Sequence, residues 1–238
     1  MEHVTYPNES ADYRAARNAL LNAEIELRRQ IERVAAMRRA LPPGGAVPID
    51  HAFERIGANL MPETVKLSAL FGEHPSILLY SFMYGPERDQ PCPGCTHMLD
   101  AIDGSARHAN PRFPIYVVTR SPIARLAAWM QRRGWKHVIP LSDLGSYTAD
   151  YHGNTASLPQ RMREARGYET GQNWDEPMFN VFRRDGGTIR HFWGSELTYA
   201  PEDPGQHHRA GDLVDPLWGL LDMSPEGRGD YFPKLNYD

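Results

Sequence analysis

Apolar residues recur every seven positions along the N-terminal stretch. Leu20, Leu27, Val34 and Leu41 carry the repeat, with Ile31 between them, while Glu24, Arg28, Arg29 and Arg38 take the other faces. That period predicts a helix from Ala11 to about Arg39 with a single apolar stripe. Asn8 to Asp12 can cap its start, and Pro42-Pro43-Gly44-Gly45 must end it. A stripe of this length needs a surface to lie against, either its own domain or a second copy of the chain.

Beyond it the periodicity changes. Phe53 to Leu70 reads as a short β-element around Thr64-Val65-Lys66-Leu67, then a small helix capped by Ser68 and stopped at Gly72. Ser76 to Met83 is β-rich, with Ile77, Leu78, Leu79, Tyr80 and Phe82 in near-continuous order. A turn-rich loop, Gly85 to Pro91, leads into a helical pattern carrying Met98, Leu99 and Ile102, closed by Gly104. Phe113 to Thr119 is apolar throughout, as a strand covered on both faces requires. Ser121-Pro122 then opens a helix with Ile123, Leu126, Ala127 and Met130 inward and Gly134 at its end, and His137 to Leu141 forms another strand. Strands alternating with helices predict a largely parallel sheet with right-handed crossovers.

The second half is less regular. Ser142 to Asn173 holds Tyr147, Tyr151, Tyr168 and a short helix near Pro159 to Arg166. Met178 to Arg183 and Thr188 to Trp193 form a hairpin about Asp185-Gly186-Gly187. A helix is expected from about Leu213 to Met223, its apolar face on the sheet, with the tail GDYFPKLNYD laid over the surface. The organisation expected is a helical extension over residues 1–45 and one α/β domain over 46–238.

Composition narrows the function classes. A hydrophobic share of 41% and a charged share of 24% are those of a soluble globular protein, and a net charge of −4 argues against nucleic acid as a partner. No stretch is apolar for long enough to span a membrane, and the polar, acidic start is unlike a secretory signal. The cytosol is therefore the expected compartment.

The candidate chemistry lies in Cys92-Pro93-Gly94-Cys95, which holds both cysteines of the chain. A helix N-terminus exposes unpaired N–H groups and the positive end of the helix dipole, so a thiolate there is stabilised. Pro93 suits the first helical turn, where its missing N–H costs nothing. This order of strand, loop and Cys-opened helix makes Cys92 the expected nucleophile and Cys95 the resolving thiol. A structural zinc site lacks a second cysteine pair, and Thr96 interrupts the Cys-x-x-Cys-His of a haem attachment. A peroxiredoxin-type nucleophile usually follows a Thr or Ser at the third position before it; here that residue is Asp89. The competing class is a non-catalytic binding protein whose dithiol holds a metal or a partner. His97, His207-His208 and Asp100 are weaker candidates for tuning or ligation, and no cofactor is implied.

Strand, Cys-x-x-Cys helix, strand, helix, then proline before a hairpin and a closing helix resembles the thioredoxin fold. The resemblance implies an α/β domain with a central mixed sheet flanked by helices, here with a long N-terminal helical extension. It also implies that Pro177 is a cis-proline facing the dithiol, and that the backbone of Glu176 pairs with an extended substrate. YSFMYGPERDQPCPGC, VVTRSPIARLAAWMQRRGWK, FNVFRRDGG and LWGLLDMSPEGRGDYFPKL resemble the DUF899 family of thioredoxin-like proteins, predicted dithiol-disulfide oxidoreductases. That likeness implies disulfide exchange with a disulfide-containing protein or a small thiol, and names no substrate. The chain departs from ordinary thioredoxins in having Pro91 where they carry Trp, and Pro-Gly where they carry Gly-Pro. Such changes tune the redox potential.

Overall fold

The computed structural model describes residues 4–169 and 171–237. The chain forms two compact units, Met1–Pro43 and Gly44–Asp238. The first is a helix, α1 (Ala11–Arg39), capped by Ser10, whose Oγ accepts from the Tyr13 N–H at 3.1 Å. None of its side chains is buried, and Leu20, Leu27, Ile31 and Val34 are all exposed.

The second unit is built on a mixed seven-stranded sheet. In chain order its elements are β1 (Ala52–Ile56), β2 (Pro62–Lys66), α2 (Leu67–Leu70), β3 (Ser76–Ser81), α3 (Pro93–Ala109), β4 (Ile115–Thr119), α4 (Ile123–Arg133) and β5 (Ile139–Asp143). Then follow α5 (Tyr147–Asp150), α6 (Gln160–Ala165), the hairpin β6 (Met178–Asp185) and β7 (Thr188–Gly194), and α7 (Pro216–Leu221). The strand order is β2-β1-β5-β4-β3-β6-β7. The β3–β4 and β4–β5 pairs are parallel, and β1 and β6 join this central trio antiparallel. This is an α/β, thioredoxin-like architecture: the dithiol helix crosses from β3 to its parallel neighbour, and the hairpin adds on the other side.

Alternation along β3 separates two cores. Tyr80 and Phe82 face α3 and α4, packing with Leu99, Ile102, Leu126 and Trp129. Ile77 and Leu79 face the opposite layer, with Phe53, Phe71, Tyr147 and Phe182. β3 is buried on both faces, and its C-terminal end delivers the loop that carries Cys92.

Several expectations shift. The dithiol helix does not close at Gly104 but runs on to Ala109; Gly104 has open space around it and Ala106 packs on the sheet, so nothing there ends the helix. Ser68 does not cap α2 but lies inside it; Lys66 stands at the N-cap position without a side-chain cap, and the Asp50 carboxylate accepts from the Ser68 N–H and hydroxyl at 2.9 and 2.7 Å. The C-terminal helix is only Pro216–Leu221 and buries no residue. Asp215 caps its start through the Leu217 N–H, while Asp222 at its end is drawn to Arg209 and Arg228. Leu213, Leu220 and Met223 stay exposed, so the expected apolar face does not form. Asp238, the last residue of the tail, lies outside the described residues.

Candidate active site

Cys92 is the N-cap of α3, with extended backbone (φ −60°, ψ 125°), and Pro93 occupies the first helical position. The Cys92 N–H donates to the Met83 carbonyl at 3.0 Å, which ties the cap to the end of the central strand. Cys92 is half-buried and Cys95, one turn on, is buried; both are free thiols. The cap, the proline and the one-turn offset stand where the sequence places them.

The two sulfurs have opposite acidities. The Cys92 pKa is drawn down to about 6, first by the hydrogen bond from the Cys95 thiol and then, against the cost of burial, by the N–H groups of Cys95 and Gly94 and the charge of Arg88. Both N–H groups belong to the first turn of α3, so the start of the helix itself favours the anion. Cys95 is pushed well up, by donating to Cys92, by burial and by the neighbouring negative sulfur. One thiol is thus poised as an anion at neutral pH and the other holds its proton.

The loop before Cys92 is held from two sides. Arg125 of α4 donates to the carbonyls of Gly85, Arg88 and Asp89 while its guanidinium lies over the Tyr84 ring, 4.1 Å from the centroid. The buried carboxylate of Asp175 accepts from the Gly85 N–H at 2.6 Å and from Arg120 Nε at 2.7 Å, and lies 3.7 Å from Arg88. A Cβ on residue 85 would come within 2.5 Å of that carboxylate, so Gly85 permits the contact. Arg88, which helps to acidify Cys92, is therefore itself positioned by Asp175.

Glu176 and Pro177 do sit at this end of the sheet. Met178 pairs with Ser81, which sets Pro177 just beyond the C-terminal end of β3. The roles implied by the thioredoxin resemblance need correction. There is no cis peptide bond among the described residues, so Glu176–Pro177 is trans. The Glu176 N–H already donates to the Gly153 carbonyl at 2.9 Å and is not open to a substrate strand. Its carboxylate turns inward to the Tyr168 hydroxyl at 2.5 Å, and burial raises its pKa. The segment carrying Asn154 and Thr155, bridged to Asp175 and Trp174, occupies the edge that an extended peptide would need.

The other candidates resolve into structural contacts. Asp100 pairs with Arg133 and accepts from Trp135 Nε1 at 2.7 Å. His97 Nε2 meets the buried carboxylate of Asp215 at 2.6 Å and lies edge-on to Trp218. His208 lies at the surface, near Glu202 and the Thr198 carbonyl. Among the described residues no three His, Cys, Asp or Glu side chains converge as a metal-holding set, and no helix is long and apolar enough to cross a membrane.

Sequence reasoning missed Arg88, Asp175, Tyr80 and Phe232. The Phe232 ring, from the C-terminal tail, would lie 3.3 Å from a Cβ on Gly94, and Cys92 Sγ would lie 3.9 Å from it, so the tail borders the dithiol. Arg88 stands in the loop just before Cys92, but its hold by Asp175, and the approach of Phe232, are long-range contacts that local pattern does not announce. Only Tyr80 left a trace, as a polar-tipped residue on the same face of the central strand as Phe82.

Solved structures of similar shape include peroxidoxin BcpB from Mycobacterium tuberculosis, 15% identical over 73% of this chain and 94% of that one, with a TM-score of 0.44. Another is the 1-Cys peroxiredoxin antioxidant protein of Plasmodium falciparum, at 13% identity, 77% and 98% coverage and a TM-score of 0.48. No curated protein matches the chain in sequence. Residues 3–237 match the model of DUF899, bacterial protein of unknown function, and the chain belongs to that family.

Proposed function

We propose that this protein is a dithiol-disulfide oxidoreductase. The observation that carries the reading is the placement of a Cys-x-x-Cys pair at a helix N-terminus, with Cys92 half-buried at the N-cap and Cys95 buried one turn on, an arrangement that lowers the pKa of the first thiol and raises that of the second. The Cys92 thiolate attacks a substrate disulfide, forming a mixed disulfide and releasing the first substrate thiolate. Cys95 then attacks the Cys92 sulfur, the second substrate thiolate leaves, and an external thiol regenerates the pair. Substrates are disulfide-containing proteins or small disulfides, which fits a reducing compartment such as the cytosol. With the Glu176 N–H committed to Gly153, a substrate is held beside Pro177 and Phe232 by surface contact rather than by pairing at Glu176.

The test is a trap. Cys95→Ser incubated with a disulfide substrate should accumulate a mixed disulfide on Cys92 that dithiothreitol releases and that mass spectrometry reads as one adduct per chain. Absence of any adduct under conditions where Cys92 is freely alkylated would sink the reading.

The exposed stripe of α1 is proposed as the contact between two copies of the chain, because Leu20, Leu27 and Val34 repeat at the spacing that seats one helix on another. Light scattering should return the mass of a dimer that Leu27→Glu halves. A wild-type mass equal to one chain rejects this.

A further inference from the structure

Tyr80 lies on β3 directly in the core beneath α3. It is fully buried, its ring stacks on Phe179 with centroids 4.4 Å apart, and it shares its cluster with Cys95. Its hydroxyl is buried without a fully formed hydrogen bond in this structure, and the Cys95 thiol lies within hydrogen-bonding reach of it. A buried hydroxyl costs stability unless it is partnered, and the partner within reach here is a sulfur of the dithiol. The ring alone would be supplied as well by phenylalanine, as at Phe82 two residues on.

The titratable group that acts most strongly on the Tyr80 hydroxyl is Cys95, followed by Cys92 of the same helix and Asp215 at the start of α7. Burial above all raises the phenol, and these groups, all negative when charged, raise it further, so Tyr80 keeps its proton throughout neutral pH. In the resting dithiol Cys95 gives its own proton to a hydrogen bond with Cys92. Once Cys92 is locked in a mixed disulfide, that acceptor is no longer an anion, and Cys95 must ionise in a buried place to attack.

Resting on the dithiol-exchange reading above, we propose that the Tyr80 hydroxyl donates a hydrogen bond to the Cys95 sulfur and holds it as an anion during resolution. Cys95 loses its proton to solvent, and its electron pair forms the bond to Cys92. The Cys92–substrate bond breaks, and the departing substrate thiolate takes up a proton. Tyr80 releases none. Tyr80 and the Met83 N–H, which also lowers the Cys95 pKa, are then the two donors to that buried anion.

The experiment uses 5,5′-dithiobis(2-nitrobenzoate), which releases one thionitrobenzoate when Cys92 attacks and a second when Cys95 resolves. Tyr80→Phe keeps the stacked ring and removes only the donor. The expected result is an unchanged first phase and a second phase slowed about ten-fold or more at pH 7, as loss of a hydrogen bond to a charged group implies. The pH profile of the second phase should also move upward by about one unit, which a merely structural role would not do. A second phase unchanged in rate and profile overturns the proposal, as does equal slowing of both phases, which would make Tyr80 a packing residue. A wild-type protein that never releases the second equivalent would instead overturn the dithiol reading itself.

Discussion

Cys92→Ser is expected to lose disulfide exchange by at least about a thousand-fold, since the attacking group is a thiolate and a serine hydroxyl does not ionise at neutral pH. Alkylation with iodoacetamide makes the cause visible. In the wild-type protein the rate should rise with pH to half its plateau near pH 6, and this phase should vanish in Cys92→Ser. Cys95→Ala should move the midpoint upward, because the hydrogen bond from Cys95 is the largest influence lowering it. The same shift links to stability. The folded Cys92 is more acidic than the unfolded thiol at roughly 8.5, so its contribution is complete above that pH and is lost as pH falls through about 6. The reduced protein should therefore become more stable across that interval as pH rises. A wild-type alkylation midpoint above pH 8 would contradict the site electrostatics.

The largest expected effect on stability comes from Asp175→Ala. The carboxylate is buried and gathers the Gly85 N–H, Arg120 and Arg88. Its removal leaves Arg120, itself mostly covered, without its counter-charge, and frees the loop that leads into Cys92. Breaking such a buried pair costs about 3 kcal/mol or more, which for a chain of this size lowers Tm by roughly 6–12 °C. Because Arg88 is released with it, the alkylation midpoint of Cys92 should rise as well. Asp175→Asn, which keeps an acceptor for Gly85 but loses the charge, should fall between the two. A Tm within about 2 °C of wild type in Asp175→Ala would show that the clamp does not hold the loop.

Much of this molecule is legible in its local pattern. The heptad stripe gives α1, and the apolar runs at Ile77 and Ile115 give the two central parallel strands. Asp185-Gly186-Gly187 gives the hairpin, with Gly186 at φ +58°, and Gly134 ends α4 at φ +76°. These features depend on spacing and on backbone freedom, which short stretches carry in full. The dithiol is legible for the same reason. Its chemistry needs a cap, a proline and a one-turn offset, all within four consecutive residues.

What surrounds the dithiol was decided by tertiary structure. Glu176-Pro177 reads locally like the proline-led strand of a thioredoxin, yet the segment about Gly153 takes its N–H and the bond is trans. Asp175 clamps a loop ninety residues earlier in the chain, and Phe232 reaches the Cys92 helix from the tail. The sequence by itself determined which atoms can react, because a thiolate is made by the helix that begins at it. Only the fold determined what holds, covers and tunes those atoms, because such contacts join residues whose neighbours in the chain carry no record of the meeting.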